Sequence, residues 1–253
     1  MNVVPKKALG QHFLVDENIL GVIGRLAELD PTDVVLEVGP GLGVLTRYLA
    51  NRVAWVHAAE IDRSLESGLR DIPRTTLHWG DALALEPETL DPPPGKLVAN
   101  LPYNVATPLV AESLDRYPAV TLWCVMVQRE VADRFFAAPR TKAYGAVSVL
   151  VQLASERTGF HPVSREVFRP RPNVDSALVA FRRTAAGIDP GVKRLVESSF
   201  AHRRKTLANS LALTGTAPRE RAVAALETLG RAPGARAEEL APAEFVALAA
   251  ELA

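Results

Sequence analysis

The sequence predicts an α/β fold, a doubly wound sheet over most of its length with a small all-helical domain behind it. Three observations carry this reading. From Asp33 to about Arg182, short apolar runs alternate with stretches of helical spacing, the pattern of βαβ units. One run, Asp33 to Val38, leads directly into the glycine-rich turn Gly39-Pro40-Gly41-Leu42-Gly43 and then a helix. After Gly187 only helical spacing remains. The expected division is 1–184 for the sheet domain with its N-terminal arm, and 185–253 for the helices.

In chain order, residues 1–13 are polar and basic without periodicity and read as an arm or loop. Asp16 is placed to cap a helix whose apolar positions, Ile19, Leu20, Ile23, Leu26 and Ala27, share one face, and Asp30-Pro31 ends it. Val44 to Arg52 is the helix after the glycine turn. Val53 to Ala59 is a second strand, running into Glu60, and Thr75 to Trp79 a third, followed by Gly80-Asp81-Ala82. After the loop Asp91 to Gly95, Lys96 to Ala99 is a short buried strand. Thr107 to Arg116 reads as a helix, Val120 to Val127 as a fifth strand, and Arg129, Glu130, Asp133 and Arg134 as a solvated helix face. Tyr144 to Ala154 is apolar and mixes helix and strand signals. Glu166 to Ser176 is extended and basic, and Ala177 to Arg182 is the last strand. In the tail, Asp189 caps and Pro190 opens a helix. Gly215 and Gly230 read as helix stops, and Pro218 and Pro242 as starts.

Composition excludes several classes. The 253 residues are 48% apolar and 23% charged, ordinary for a globular chain. No apolar run reaches the roughly 18 residues of a membrane span, and the first residues lack the apolar centre of a secretory signal, so a cytoplasmic location is expected. The single cysteine, Cys124, sits in an apolar run and reads as a small buried hydrophobe. No His, Cys and Asp group has metal spacing, so no metal is expected. Lys plus Arg equals Asp plus Glu at 29 each, yet Val163 to Lys205 carries +6 and the tail from Ala217 carries −2. A basic face is present although the total balances.

Two elements carry chemistry. Gly39, Gly41 and Gly43 let a ligand approach the backbone, and Glu60, 21 residues beyond Gly39, lies where a carboxylate holds ribose hydroxyls, with Asp62 a near alternative. The spacing Gly-x-Gly-x-Gly lacks the third glycine that accommodates a pyrophosphate, which points to S-adenosylmethionine over NAD. Asp81 is placed either to accept from an adenine amine or to cap a helix. The second element is Asn100-Leu101-Pro102-Tyr103-Asn104, at the carboxyl end of a strand. Proline stiffens this turn. Asn100 Oδ1 and the Leu101 carbonyl are suited to accept both hydrogens of a ring amine, freeing its delocalised lone pair for attack on an activated methyl. Tyr103 would stack on one face of the base and Phe168 on the other. The alternative for Tyr103 is ordinary loop packing.

Several segments, taken in order, resemble the KsgA family of ribosomal RNA adenine dimethyltransferases: Leu9-Gly10-Gln11-His12-Phe13-Leu14, Glu37 to Gly43, Gly80-Asp81-Ala82, Asn100 to Asn104, Phe168-x-Pro170-x-Pro172 and His202-Arg203-Arg204-Lys205-Thr206-Leu207. The resemblance covers essentially the whole chain. It implies a Rossmann-like class I methyltransferase sheet and dimethylation of two adjacent adenines in a hairpin loop near the 3′ end of 16S RNA, late in 30S assembly. It also implies cofactor contacts at His12, Leu14, Gly39, Glu60, Asp81 with neighbouring Ala82, and Asn100, and RNA contacts at Arg203, Arg204 and Lys205. A monomer is expected. The family's usual residue at His12 is Asn. A cation beside a sulfonium is unfavourable, so His12 is expected neutral with cofactor bound, or else to be a plain surface-loop residue. The nearest rival is the Erm class, which methylates 23S RNA and shares the Asn-x-Pro-Tyr element. Asn104 and the Arg-Arg-Lys-Thr-Leu run favour KsgA. An NAD-dependent oxidoreductase and a non-enzymatic RNA-binding factor are the readings from other classes.

Overall fold

A computed structural model of the protein describes Lys6 and residues 11–253. Leu9 and Gly10 of the arm motif lie outside the described residues. In chain order the first elements are β1 (Phe13–Leu14), α1 (Glu17–Leu26), β2 (Val34–Val38), α2 (Val44–Ala50), β3 (Trp55–Glu60), α3 (Glu66–Leu69), β4 (Thr75–Trp79) and β5 (Lys96–Asn100). Then follow α4 (Ala106–Arg116), β6 (Leu122–Gln128), α5 (Arg129–Phe135), α6 (Ala146–Ala154), β7 (Ser155–Val163), β8 (Phe168–Arg169) and β9 (Ser176–Arg183). The chain ends in α7 (Pro190–Phe200), α8 (Leu207–Leu213), α9 (Arg219–Thr228) and α10 (Pro242–Leu252). No helix among the described residues is long and apolar enough to cross a membrane.

The chain divides into two compact units, one running up to Ala132 and resuming over Glu156–Arg183, the other made of Asp133–Ser155 and Thr184–Ala253. In the first, a seven-stranded sheet has the order β4-β3-β2-β5-β6-β9-β7. β4, β3, β2, β5 and β6 are parallel, and β9 runs antiparallel to β6. β2 lies between β3 and β5, so the strand order reverses there. Open α/β sheets bind ligands at such a point, outside the carboxyl ends of the strands. The apolar runs that predict β2, β5 and β6 are buried because helices cover a parallel sheet on both faces. Val35, Val56, Val98, Cys124 and Met126 pack with Ile19, Leu20 and Ile23 of α1 and Leu45 and Leu49 of α2. Asp16 caps α1 as its spacing predicts, accepting from the N–H groups of Asn18 (2.8 Å) and Ile19 (3.3 Å). The helix ends at Leu26, before Asp30-Pro31, as Glu28 turns left-handed (φ 48°). β7 has no counterpart in the sequence reading. It stands at the sheet's edge and carries Glu156, Arg157, His161 and Pro162.

The helical unit is larger than the predicted tail, because residues 133–155 belong to it. α6 is wholly helical and packs against α7 and α10. The Tyr144 hydroxyl, buried, donates to the Leu240 carbonyl at 2.8 Å. Its ring meets Phe200 edge-on, at 6.0 Å between centroids, and Phe200 in turn meets Phe245 at 5.8 Å. The Glu244 carboxylate accepts from Arg231 Nε and Nη2, at 2.5 and 2.6 Å. Asp189 caps α7, and Gly215 and Gly230 end α8 and α9 with positive φ, as the sequence predicts.

Tyr144→Phe would leave a buried carbonyl unpaired and should cost about 1–2 kcal/mol. Hydrogen exchange should then quicken in residues 133–155 and 184–253 but not in β2 to β6. Equal quickening in the sheet would overturn the division.

Candidate active site

The carboxyl ends of β2 and β5 each release a turn, and the two turns touch. Gly39, Gly41 and Gly43 all have positive φ, at 74°, 57° and 75°. A Cβ on Gly39 would stand 3.2 Å from Pro102 Cδ, and one on Gly41 would stand 3.0 Å from the Phe13 ring. Positive φ favours glycine at both, and a Cβ would also crowd Pro102 and the Phe13 ring. Gly43 opens α2. The Glu60 carboxylate, at the end of β3, is tied into this loop. Its Oε2 accepts from Gly41 N–H at 3.1 Å, and its Oε1 from the N–H groups of Ile61 and Asp62, each at 2.9 Å. Burial pushes the Glu60 carboxyl up, and those three bonds oppose the rise. A carboxylate has about four acceptor positions, so capacity for a ribose hydroxyl remains.

In the acceptor turn, Asn100 Nδ2 donates to the His12 carbonyl at 3.2 Å. A carbonyl only accepts, so the amide nitrogen faces His12 and Oδ1 faces away from it. Leu101 N–H is held by the Met126 carbonyl at 3.0 Å. The Pro102 carbonyl accepts from Val105 and Ala106 at 3.1 Å each, which starts α4. Tyr103 is half-buried. Its hydroxyl lies 2.7 Å from Ser176 Oγ, and its ring stands 5.3 Å from the His12 ring at 32°. His12 Nδ1 lies 2.8 Å from the Pro170 carbonyl and must carry the hydrogen between them.

His12, Leu14, Gly39, Gly41, Glu60, Asn100, Leu101, Pro102 and Tyr103 all line one crevice. Asp81 and Ala82 line an adjoining hollow, which shares Gly39, Glu60, Ile61 and Pro102 with the first. Asp81 Oδ1 caps the turn at Leu83 N–H (2.9 Å), so the capping role is occupied while the residue still edges the hollow. The Leu14 side chain is in the core, which leaves its backbone toward the crevice.

Of the residues expected around the target base, Phe168 joins neither hollow. It is 0% exposed, sits in the core with Leu14 and Ile23, and pairs with Leu14 between β8 and β1. A wholly buried ring offers no face to a base in this conformation. Arg203, Arg204 and Lys205 form an exposed turn after α7 in the helical unit. Arg203 also donates to the Tyr144 carbonyl at 3.2 Å, so part of its role is to hold its own unit.

Among the lining residues that the sequence reading does not name as site residues, three matter most. Ile61, 55% exposed, borders both hollows as an apolar shelf. Gln11 lies in the arm. Glu37 is an acid within an apolar strand, a signal in itself. Its Oε2 is buried with no hydrogen-bond partner among the described residues, and so is Thr46 Oγ1 nearby. Burial pushes the Glu37 carboxyl up to about 8, the Thr46 hydroxyl opposes the rise, and the charge of Glu60 adds to it. Glu37, Glu60 and Asp81 line the two hollows, and among the described residues no lysine or arginine does. That balance suits a cationic ligand and disfavours a pyrophosphate.

The sequence profile described as "Ribosomal RNA adenine dimethylase" matches residues 4–253. The chain belongs to that family. A protein of Rubrobacter xylanophilus described as "Ribosomal RNA small subunit methyltransferase A" is 48% identical over 251 residues, covering 96% of this chain and 94% of its own. One of Leifsonia xyli with the same description is 44% identical and covers 99% and 93%. Among solved structures, a dimethyladenosine transferase from Plasmodium falciparum has the same fold (TM-score 0.76, 24% identity, 94% of this chain and 96% of that one). The 23S rRNA methyltransferase ErmE aligns with TM-score 0.63 at 30% identity, over 95% and 99%.

The chain is therefore an S-adenosylmethionine-dependent ribosomal RNA methyltransferase with the class I sheet. The crevice fits this cofactor on its own evidence. Glu37 Oε2 is a buried oxygen without a hydrogen-bond partner among the described residues. Gly39 and Gly41 line the crevice with bare backbone at positive φ. The acids match a ligand that carries an ammonium and a sulfonium.

Glu37 makes a pH test. Its raised carboxyl stays protonated in the folded protein while the unfolded chain ionises near the ordinary value of 4.5. Stability should then fall as pH rises from 4.5 to about 8 and level off above. In urea unfolding of cofactor-free protein, the advantage of Glu37→Gln over wild type should grow across that window. A constant difference would contradict the buried acid.

Proposed function

We propose that this chain dimethylates N6 of two adjacent adenosines in a hairpin loop near the 3′ end of small-subunit (16S) ribosomal RNA. It acts on an immature 30S subunit, as a cytoplasmic monomer and without a metal. The relatives described as small-subunit methyltransferases support the choice of RNA. The observation that carries the chemistry is the Asn100 amide, whose nitrogen is taken up by the His12 carbonyl so that Oδ1 is left for the acceptor.

When bound, S-adenosylmethionine supplies a methyl already activated on a sulfonium. The protein's part is positioning, which contributes about 7–11 kcal/mol in well-oriented reactions. Glu60 accepts from the ribose hydroxyls, Asp81 and Ala82 border the adenine, and His12, Leu14, Gly39 and Gly41 close the crevice around the rest. The target adenine leaves its stack and presents its amine to the turn after β5. Asn100 Oδ1 and the Leu101 carbonyl accept the two amine hydrogens. The nitrogen then pyramidalises and its lone pair turns outward. Tyr103, its hydroxyl tied to Ser176, stacks on the base and contributes about 1–3 kcal/mol. The methylated nitrogen loses its proton to water. Arg203, Arg204 and Lys205, exposed in the helical unit, neutralise phosphates, so their removal should weaken RNA binding and flatten its salt dependence.

The test is mass spectrometry of dimethyladenosine in small-subunit RNA from a strain lacking the gene, complemented with variants. Wild type should restore the mark. Asn100→Ala should lower methyl transfer by about two orders of magnitude, and Tyr103→Ala by about tenfold or more, while RNA affinity largely survives. A mark restored only in 23S RNA would favour the Erm reading. Full activity in both variants would overturn the assignment of the turn.

A further inference from the structure

Asp62 stands two residues beyond the ribose acid and is assigned no task by the reaction above. It is nonetheless built into its place. Its side chain is 2% exposed. Oδ1 accepts from Lys6 Nζ at 2.6 Å and from Ser64 Oγ at 2.6 Å, and Oδ2 accepts from Gln11 Nε2 at 3.0 Å. Gln11 Oε1 in turn accepts from the Lys6 backbone N–H at 2.8 Å. Burial alone would push the Asp62 carboxyl up, but the bonds from Lys6, Ser64 and Gln11 hold it well below the usual carboxylate range. A helix-turn cap needs only Ser64. The reach to Lys6 and Gln11, across more than fifty residues of sequence, serves the arm.

The residue after Gln11 is His12, whose carbonyl takes the Asn100 Nδ2 hydrogen. Next comes Phe13, whose ring covers Gly41 and whose backbone pairs with Arg169. The arm is thus fixed at one end by β8 and at the other by Asp62, with the His12 carbonyl between. Asp62 also reaches the cofactor side, for its own N–H donates to Glu60 Oε1. We infer that Asp62 is a positioning residue for methyl transfer: through Gln11 it fixes the His12 carbonyl that turns the Asn100 amide, so that Oδ1 faces the amine. This rests on the role proposed for Asn100. Without the anchor, the amide flips between two orientations, and one of them presents hydrogens to hydrogens.

A double-mutant cycle separates this from a structural role. Asp62→Asn should lower kcat by about tenfold or more, with KM for RNA little changed. In the Asn100→Ala background the same substitution should change the residual rate by less than about twofold. An equal drop in both backgrounds would overturn the inference while leaving the role of Asn100 intact. An active Asn100→Ala would instead sink the reading of the turn itself. Gln11→Ala removes one arm contact without touching the buried carboxylate, and should show the same non-additivity if Asp62→Asn misfolds. A second readout needs no activity. In ¹⁵N NMR of cofactor-free protein, the Asn100 side-chain amide should shift and broaden in Gln11→Ala. An unchanged signal would contradict the coupling.

Discussion

The parallel pairing of β2 with β5, Val35 against Lys96 and Leu36 against Leu97, is the contact on which the site depends. It is the junction at which the strand order reverses. It sets two turns of opposite character side by side. The glycine loop after β2 gives up side chains so that a ligand can meet backbone. The turn after β5 presents an amide, a carbonyl and a ring. Gly39 packs close on Pro102, so that a Cβ there would stand only 3.2 Å from Pro102 Cδ. On the proposed reading, donor and acceptor sit on these adjoining turns at a spacing set by rigid elements, as a displacement needing little acid–base help requires.

Electrostatics supports the same division of labour. Two largely buried carboxyls, Glu37 and Glu60, share a crevice; burial raises both, and the charge of Glu60 raises Glu37 further. Holding such groups in the fold is unfavourable by itself, and a cationic ligand reverses the balance. The positive charge that the proposal assigns to RNA is gathered in the exposed Arg203-Arg204-Lys205 turn of the helical unit. On that proposal, a chain with no net charge serves a cation and a polyanion by segregating its charges.

Most of the sheet was legible because its strands are central and parallel, so that burial on both faces writes them as continuous apolar runs. The run Lys96 to Ala99 predicts central β5 (Lys96–Asn100) to within one residue. β7 was not legible, because an edge strand needs no such run and this one carries charges and Pro162. Residues 133–155 joined the helical unit unforeseen, since a chain that leaves one unit and returns leaves no mark in local spacing. At the site, the glycines, Glu60 and the Asn100 turn announce themselves by type and spacing. The link from Asp62 to Lys6 and Gln11, and the burial of Phe168 against Leu14, arise from tertiary pairing of an arm that has no periodicity of its own.

The claim that the turn after β5 faces the activated methyl is open to one direct observation, a crystal structure of the protein with S-adenosylmethionine bound. The account predicts that the sulfur-bound methyl carbon points at the space bounded by Asn100 Oδ1, the Leu101 carbonyl and the Tyr103 ring, with Asn100 Nδ2 still on the His12 carbonyl. A methyl directed away from that turn, or an Asn100 amide rotated to place its nitrogen there, would contradict it.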